Sequence, residues 1–84
     1  MSRHKQEFNG GEWVFGWDQP LRTFYVQKYD FSFPEDEQIR VWLGATGDSV
    51  MYEVDDLVRA ARKHGLFIDY AMQMTLYGDK DEGI

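Results

Sequence analysis

The chain has no cysteine among its 84 residues. It therefore has no disulfide framework, no thiolate zinc site and no cysteine nucleophile. Long apolar runs are also missing, because no segment approaches the roughly 18 continuous apolar residues that span a bilayer, and the N-terminus lacks a signal-peptide core. These absences predict a cytoplasmic protein that does not enter the membrane.

Basic residues are scarce, with nine Lys and Arg against 15 Asp and Glu and a net charge of −6. Most of the excess lies from Asp30 to Asp56, where eight acids accompany one base, Arg40. Phosphate-backbone binding depends on Lys and Arg, so this balance disfavours direct nucleic-acid binding. We expect a basic partner, or a neutral and apolar one.

Catalytic and metal-binding motifs are also missing from the sequence. His4 lies near the N-terminus, and His64 occupies the end of a predicted helix, where the helix dipole favours a cation. Ser49, in "GDSVM", does not match a nucleophile elbow. The segment 78–83, "GDKDEG", has no twelfth-position glutamate for calcium, and "GATGDS" lacks the lysine of a phosphate loop. We therefore predict a protein that is not an enzyme and has no cofactor and no metal.

What the chain does contain is a strong strand pattern in its first half. In "EWVFGWD", Trp13, Phe15 and Trp17 alternate with smaller or polar residues, as in a half-buried strand. Pro20 suits a tight turn because its φ is fixed, and "RTFYVQKYDF" then continues as a second strand. The two segments predict a β-hairpin.

A third strand is predicted in "QIRVWLGAT". Alternation places Ile39, Val41 and Leu43 on the inner face, with Arg40 and Trp42 on the other. The segment "VMYE", 50–53, fits either a short fourth strand or the approach to a helix.

Two helices are predicted in the second half. Acids begin and bases end "EVDDLVRAARKHG", which favours a helix from Val54 to His64 that stops at Gly65. Asp69 can cap a second helix. In that helix an apolar side chain recurs every four residues, at Ile68, Met72 and Leu76.

The order of these elements predicts one α+β domain covering residues 1–84. It consists of a three- or four-stranded antiparallel meander followed by two C-terminal helices packed on one face. We expect residues 1–10 and 79–84 to be flexible.

Aromatic residues are concentrated in the predicted strands. If the helices cover the face that carries Phe24 and Val26, alternation turns Tyr25, Tyr29 and Trp42 outward. With Arg40, these three form a candidate interaction surface, since Tyr and Trp supply large contact areas in protein interfaces. The alternative is that the rings form cross-strand pairs that only stabilise a thin sheet.

The stretch "GWDQPLRTFYVQKYD", followed by "VWLG" at 41–44, resembles a loosely defined group of small bacterial proteins. In that group a Gly-Trp-Asp-x-Pro-Leu-x-Thr-Phe hairpin precedes a Trp-x-Gly strand and a helical C-terminal part. Its members are uncharacterised and often come from actinobacteria or mobile elements. The resemblance carries no activity and no site residue to this chain.

Three functions fit these observations. The leading hypothesis is a non-enzymatic protein–protein interaction module or accessory regulator that binds a protein partner or a second copy of itself. The alternative is an acidic mimic of nucleic acid that inhibits a nucleic-acid-binding protein. A second alternative is a small-molecule or enzyme pocket near Trp17 and Asp18. The mimic would use an acidic surface formed by Glu35, Asp36, Glu37, Asp48, Asp55 and Asp56.

Overall fold

The described part of the chain forms a four-stranded antiparallel sheet followed by two α-helices. The computed structural model describes residues 2–44 and 50–83. The strands lie side by side in chain order, as in a meander. This confirms the predicted α+β fold. The elements are β1 (His4–Phe8), β2 (Gly11–Asp18), β3 (Thr23–Asp30), a short 3-10 helix (Glu35–Glu37), β4 (Ile39–Leu43), α1 (Val54–Lys63) and α2 (Tyr70–Glu82).

The first strand comes from the N-terminal segment that we expected to be flexible. β1 pairs with β2 from His4 opposite Phe15 to Phe8 opposite Gly11. The connecting turn is short, and Gly10 adopts a φ of 100°, which glycine tolerates best. β1 thus pairs with the side of β2 that β3 does not occupy, and it forms one edge of the sheet.

Residues 50–53 do not form a strand. Instead, Met51 is bound across the start of β3: its carbonyl oxygen accepts from the Phe24 amide at 2.7 Å, and its amide donates to Thr23 Oγ1 at 2.8 Å. These hydrogen bonds fix the segment as the approach to α1, which is one of the two predicted forms.

The core lies between the sheet and the two helices. The rings of Trp13, Phe15 and Trp17 on β2 face the helices, as do Phe24 and Val26 on β3. The predicted inner face of the hairpin is therefore confirmed. The helical side of the core contains Val54, Leu57 and Ala61 from α1, Leu66 and Ile68 from the connection, and Leu76 from α2.

Both helices begin at capping side chains, and the predicted cap at Asp69 is confirmed. Glu53 and Asp56 form a reciprocal capping box at the start of α1, and Gly65 takes a φ of 97° just after its end. The Asp69 side chain accepts from the Met72 amide at 2.8 Å and caps α2. Within the described residues, neither helix is long and apolar enough to cross a bilayer.

The end of α2 is helical through Glu82, although we expected flexibility from residue 79. Two contacts attach this part to the rest of the chain. His4 Nε2 lies 2.6 Å from Asp79 Oδ2, and the Lys80 ammonium lies 3.5 Å from the centre of the Tyr52 ring. Asp79 is buried as a result, so the last turns of α2 belong to the folded domain.

Candidate functional site

The candidate interaction surface was predicted on the outer face of the sheet, which is the face turned away from α1 and α2. Alternation along β3 and β4 brings Gln27 opposite Trp42 on this face. Trp42 is 57% exposed, an unusual state for a tryptophan in a small domain. Its predicted outward direction therefore agrees with the structure.

Tyr25 lies on the same face, but it is buried. Only 6% of it is exposed, and its hydroxyl donates to the Ser2 carbonyl oxygen at 2.7 Å. Ser2 is itself held by Trp17, whose amide donates to Ser2 Oγ at 2.8 Å and whose carbonyl accepts from the Ser2 amide at 2.9 Å. We expected Tyr25 to be an exposed contact residue, but it packs at the base of the outer face.

Gly16 allows the N-terminal segment to cross the sheet here. A Cβ atom at this position would overlap the Ser2 carbonyl oxygen and come within 2.7 Å of Ser2 Oγ. Any larger residue would therefore displace the segment that covers Tyr25. The glycine in the "GWD" motif is explained by this close approach of backbone to backbone.

Beside Tyr25 the outer face contains a recess of about 270 Å³, which we call the Trp42 cavity. Leu21 and Trp42 form its walls, and each is 57% exposed. Arg3 and Asp18 bring opposite charges to its lining. The full lining is Arg3, Asp18, Leu21, Tyr25, Gln27, Trp42 and Gly44.

Two hydrogen bonds order the polar side of this cavity. Asp18 Oδ1 accepts from the Leu21 amide at 3.2 Å and so fixes the turn that carries Leu21. The Tyr29 hydroxyl donates to Gln27 Oε1 at 3.2 Å, which leaves the Gln27 amide nitrogen as the donor of that side chain. The cavity therefore combines apolar walls with a positioned hydrogen-bond donor.

Burial raises the pKa of the Tyr25 hydroxyl above its ordinary value of 10.0. The positive charge of Arg3 acts in the opposite direction, while Asp18 and Tyr29 add to the increase in pKa. The hydroxyl therefore stays protonated and continues to donate to Ser2 at neutral pH.

This pKa predicts an alkaline loss of stability. Because the folded-state pKa exceeds the unfolded value, the contribution of Tyr25 is fully present below pH 10.0 and is lost as the pH rises through the folded-state pKa. Urea unfolding between pH 8 and 11, followed by circular dichroism, measures the effect. In Tyr25→Phe the free energy of unfolding at neutral pH should fall by about 1 kcal/mol. The part of its alkaline decrease that comes from ionisation of the Tyr25 hydroxyl should disappear. An identical decline in both proteins would contradict the assignment.

Arg40 and Ile39 lie at the other end of β4, where the register with β3 shifts. The shift brings Ile39 opposite Tyr29, and Ile39 is exposed, so its predicted inward direction is wrong. The Arg40 guanidinium lies 4.1 Å from the centre of the Phe33 ring. Arg40 therefore packs against Phe33 and does not line the Trp42 cavity.

The predicted acidic surface is divided between two places. Glu35–Glu37 precede β4, whereas Asp56 lines a recess with Leu43 at the other end of that strand. Asp56 also accepts from Arg59 Nη2 at 2.7 Å, besides its capping role. Asp55 lies beside it in the first turn of α1, and Asp48 lies outside the described residues. The described acids thus form two groups and not one continuous row.

Trp17 and Asp18 line different cavities, although they are neighbours in the chain. Trp17 is 1% exposed, packs edge-on against Phe24 at 4.8 Å, and donates its indole N–H to Gln19 Oε1 at 2.7 Å. It reaches a polar recess of about 450 Å³ shared with Lys80. Asp18 points to the outer face. The structure therefore does not bring the two residues into one pocket.

The His4–Asp79 pair was missed by the sequence analysis, because it joins residues at the two ends of the chain. It packs beside Phe15, with ring centres 5.9 Å apart between His4 and Phe15, and it ties β1 to α2. His64, predicted near the end of α1, is its C-cap residue. Among residues 2–44 and 50–83, no group of three or more His, Asp or Glu side chains is placed to hold a metal ion.

Comparisons with protein-family models, curated proteins and solved structures found no match for this chain. The resemblance carried by the Gly16 to Asp30 stretch therefore stays a prediction. The Trp42 cavity combines exposed apolar walls, Leu21 and Trp42, with a buried and hydrogen-bonded base at Tyr25.

Proposed function

We propose that the chain is a non-enzymatic interaction module that binds a partner protein through the Trp42 cavity. The proposal rests on the structure of this cavity. Two exposed apolar side chains, Leu21 and Trp42, form its walls, and the buried, hydrogen-bonded Tyr25 forms its base. Exposed tryptophans at ordered positions supply much of the binding energy in protein interfaces.

The size of the cavity favours a protein side chain as its occupant. Its volume is about 270 Å³. This volume is just below the roughly 300 to 1,000 Å³ of sites for drug-sized ligands and cofactors. A single large apolar side chain of a partner matches the space between Leu21 and Trp42, and the Gln27 amide is placed to bond a carbonyl group beside it.

The position of β4 supports binding of an extended segment. β4 is an edge strand, and among the described residues the only strand that pairs with it is β3. Edge strands present backbone groups that a partner can pair with. We infer that the partner supplies an extended segment next to β4, with an apolar side chain in the Trp42 cavity.

Selection of a random peptide library against the purified protein tests this function. Peptides that bind the wild type should bind Trp42→Ala and Leu21→Ser at least about tenfold more weakly, the effect of removing a side chain that contributes 1.4 kcal/mol or more. Tyr70→Ser is the control, because Tyr70 is an exposed aromatic on α2. Selected peptides that bind both cavity variants as tightly as the wild type would exclude the proposal.

A further inference from the structure

Helix α2 has apolar residues on two opposite faces. At about 100° per residue, Met72 and Leu76 point towards the core and Met74 points directly away from it. Tyr70 and Tyr77 lie roughly 40° and 60° to one side of Met74 around the helix. Phe67, just before the helix, extends the outer set. The exposed fractions are 64% for Phe67, 75% for Tyr70, 50% for Met74 and 42% for Tyr77. We call these four residues the α2 stripe.

We propose that the α2 stripe binds the α2 stripe of a second copy, so that the protein forms a homodimer through an antiparallel helix pair. Along the helical part of the stripe, Tyr70, Met74 and Tyr77 are separated by steps of four and three residues, the spacing of a coiled-coil seam. A twofold axis at Met74 places this residue beside its own copy. The same axis brings Tyr70 beside Gly78 of the partner subunit and Tyr77 beside Ala71 of the partner subunit.

The area of the stripe is enough for a weak, specific dimer. Four partly exposed side chains of this size present on the order of 500 Å² per copy, given 150–250 Å² for a whole aromatic side chain. Two copies therefore bury about 1,000 Å², the lower limit of specific interfaces. We expect a dimer that dissociates on dilution.

Gly78 is a second, independent indication of a close neighbour. Glycine inside a helix lowers helix stability relative to alanine, yet a Cβ at Gly78 would meet nothing within 4 Å among the described residues. Packing among these residues of one copy thus gives no reason for the glycine. Gly78 and Ala71 flank the stripe one heptad apart, and their small size lets a second helix approach on that side.

Charge also favours the antiparallel arrangement. Asp81 continues the line of the stripe into the last turn of α2, where an acid is unfavourable for its own helix dipole. In the antiparallel pair this carboxylate lies by the N-terminus of the partner's helix, where the dipole is positive. A parallel pair would bring the two carboxylates together.

The α2 stripe and the Trp42 cavity are separate surfaces. α2 packs on the inner face of the sheet, and the cavity opens on the outer face. A dimer would therefore leave the cavity open, and the two proposals can fail independently.

Sedimentation equilibrium of the full chain from about 1 μM to 1 mM tests the dimer. We expect the wild type to pass from monomer to dimer over this range. Met74→Glu places two carboxylates at the twofold axis and should weaken the dimer at least about thirtyfold, and Tyr70→Ser should weaken it about tenfold. Phe31→Ser is the control, because Phe31 is similarly exposed but follows β3.

Circular dichroism of each variant distinguishes a lost dimer from a lost fold, and a single correctly folded stripe variant is enough for the test. A wild type that stays monomeric at about 1 mM overturns the proposal, even if the stripe then binds lipid vesicles or another protein. A dimer that is unaffected by both stripe variants also overturns it.

Discussion

Trp17→Ala is expected to lower the free energy of unfolding by about 3–5 kcal/mol. Trp17 is 1% exposed and packs edge-on against Phe24, so its removal leaves a large void at the centre of the core. Such a loss is a large part of the total stability of a small domain, which is typically about 5–15 kcal/mol. Urea unfolding monitored by circular dichroism measures the difference.

Trp42→Ala is the matched control, since it makes the same chemical change on the outer face of the sheet. Trp42 is more than half exposed, and its removal should change the free energy of unfolding by no more than about 0.5 kcal/mol. The contrast separates a tryptophan that holds the fold from one that is available for binding. Equal losses in the two variants would mean that Trp42 also stabilises the folded chain.

Gly16→Ala is expected to destabilise the protein by about 1–3 kcal/mol. The added methyl group overlaps the backbone of Ser2, so the segment over Tyr25 must move and its hydrogen bonds to Tyr25 and Trp17 are lost. Gly78→Ala, measured on the dilute monomer, is the control. It should stabilise the chain by up to about 1 kcal/mol, because the new methyl group meets open space.

Removal of residues 1–3 tests the cause of the Gly16 effect. Once Ser2 is absent, the methyl group of Gly16→Ala has no backbone to overlap, so the two changes should be strongly non-additive. Thermal unfolding of the four proteins in this cycle gives the coupling energy. Additive losses would show that Gly16 is needed for a reason other than the approach of Ser2.

Much of the fold could be predicted because its signals are local. The alternation of Trp13, Phe15 and Trp17 and the cap at Asp69 each depend on residues close in sequence. β1 was not predicted, because "HKQEF" is mostly charged or polar and lies at the edge of the sheet. The turn at Gly10, in "NGG", was the available signal, since Asn-Gly is a strong hairpin marker.

The candidate site was only partly predictable. The outward direction of Trp42 follows from alternation within one strand, whereas the burial of Tyr25 depends on Ser2, 23 residues away in the chain. The wrong direction of Ile39 has a similar origin, because a register shift changes the face of every residue beyond it. The recurrence of Met72 and Leu76 predicted the buried face of α2, but not the second apolar face.

The indole N–H resonances of the three tryptophans test the central claim most directly. A ¹⁵N-labelled sample is titrated with a peptide selected for binding and observed by NMR. Binding at the Trp42 cavity predicts that the Trp42 indole signal moves with the backbone amides of Leu21 and Gln27, while the buried Trp17 indole signal stays in place. Shifts that are largest at Tyr70 and Tyr77, or at Trp17, with Trp42 unchanged, would contradict the claim.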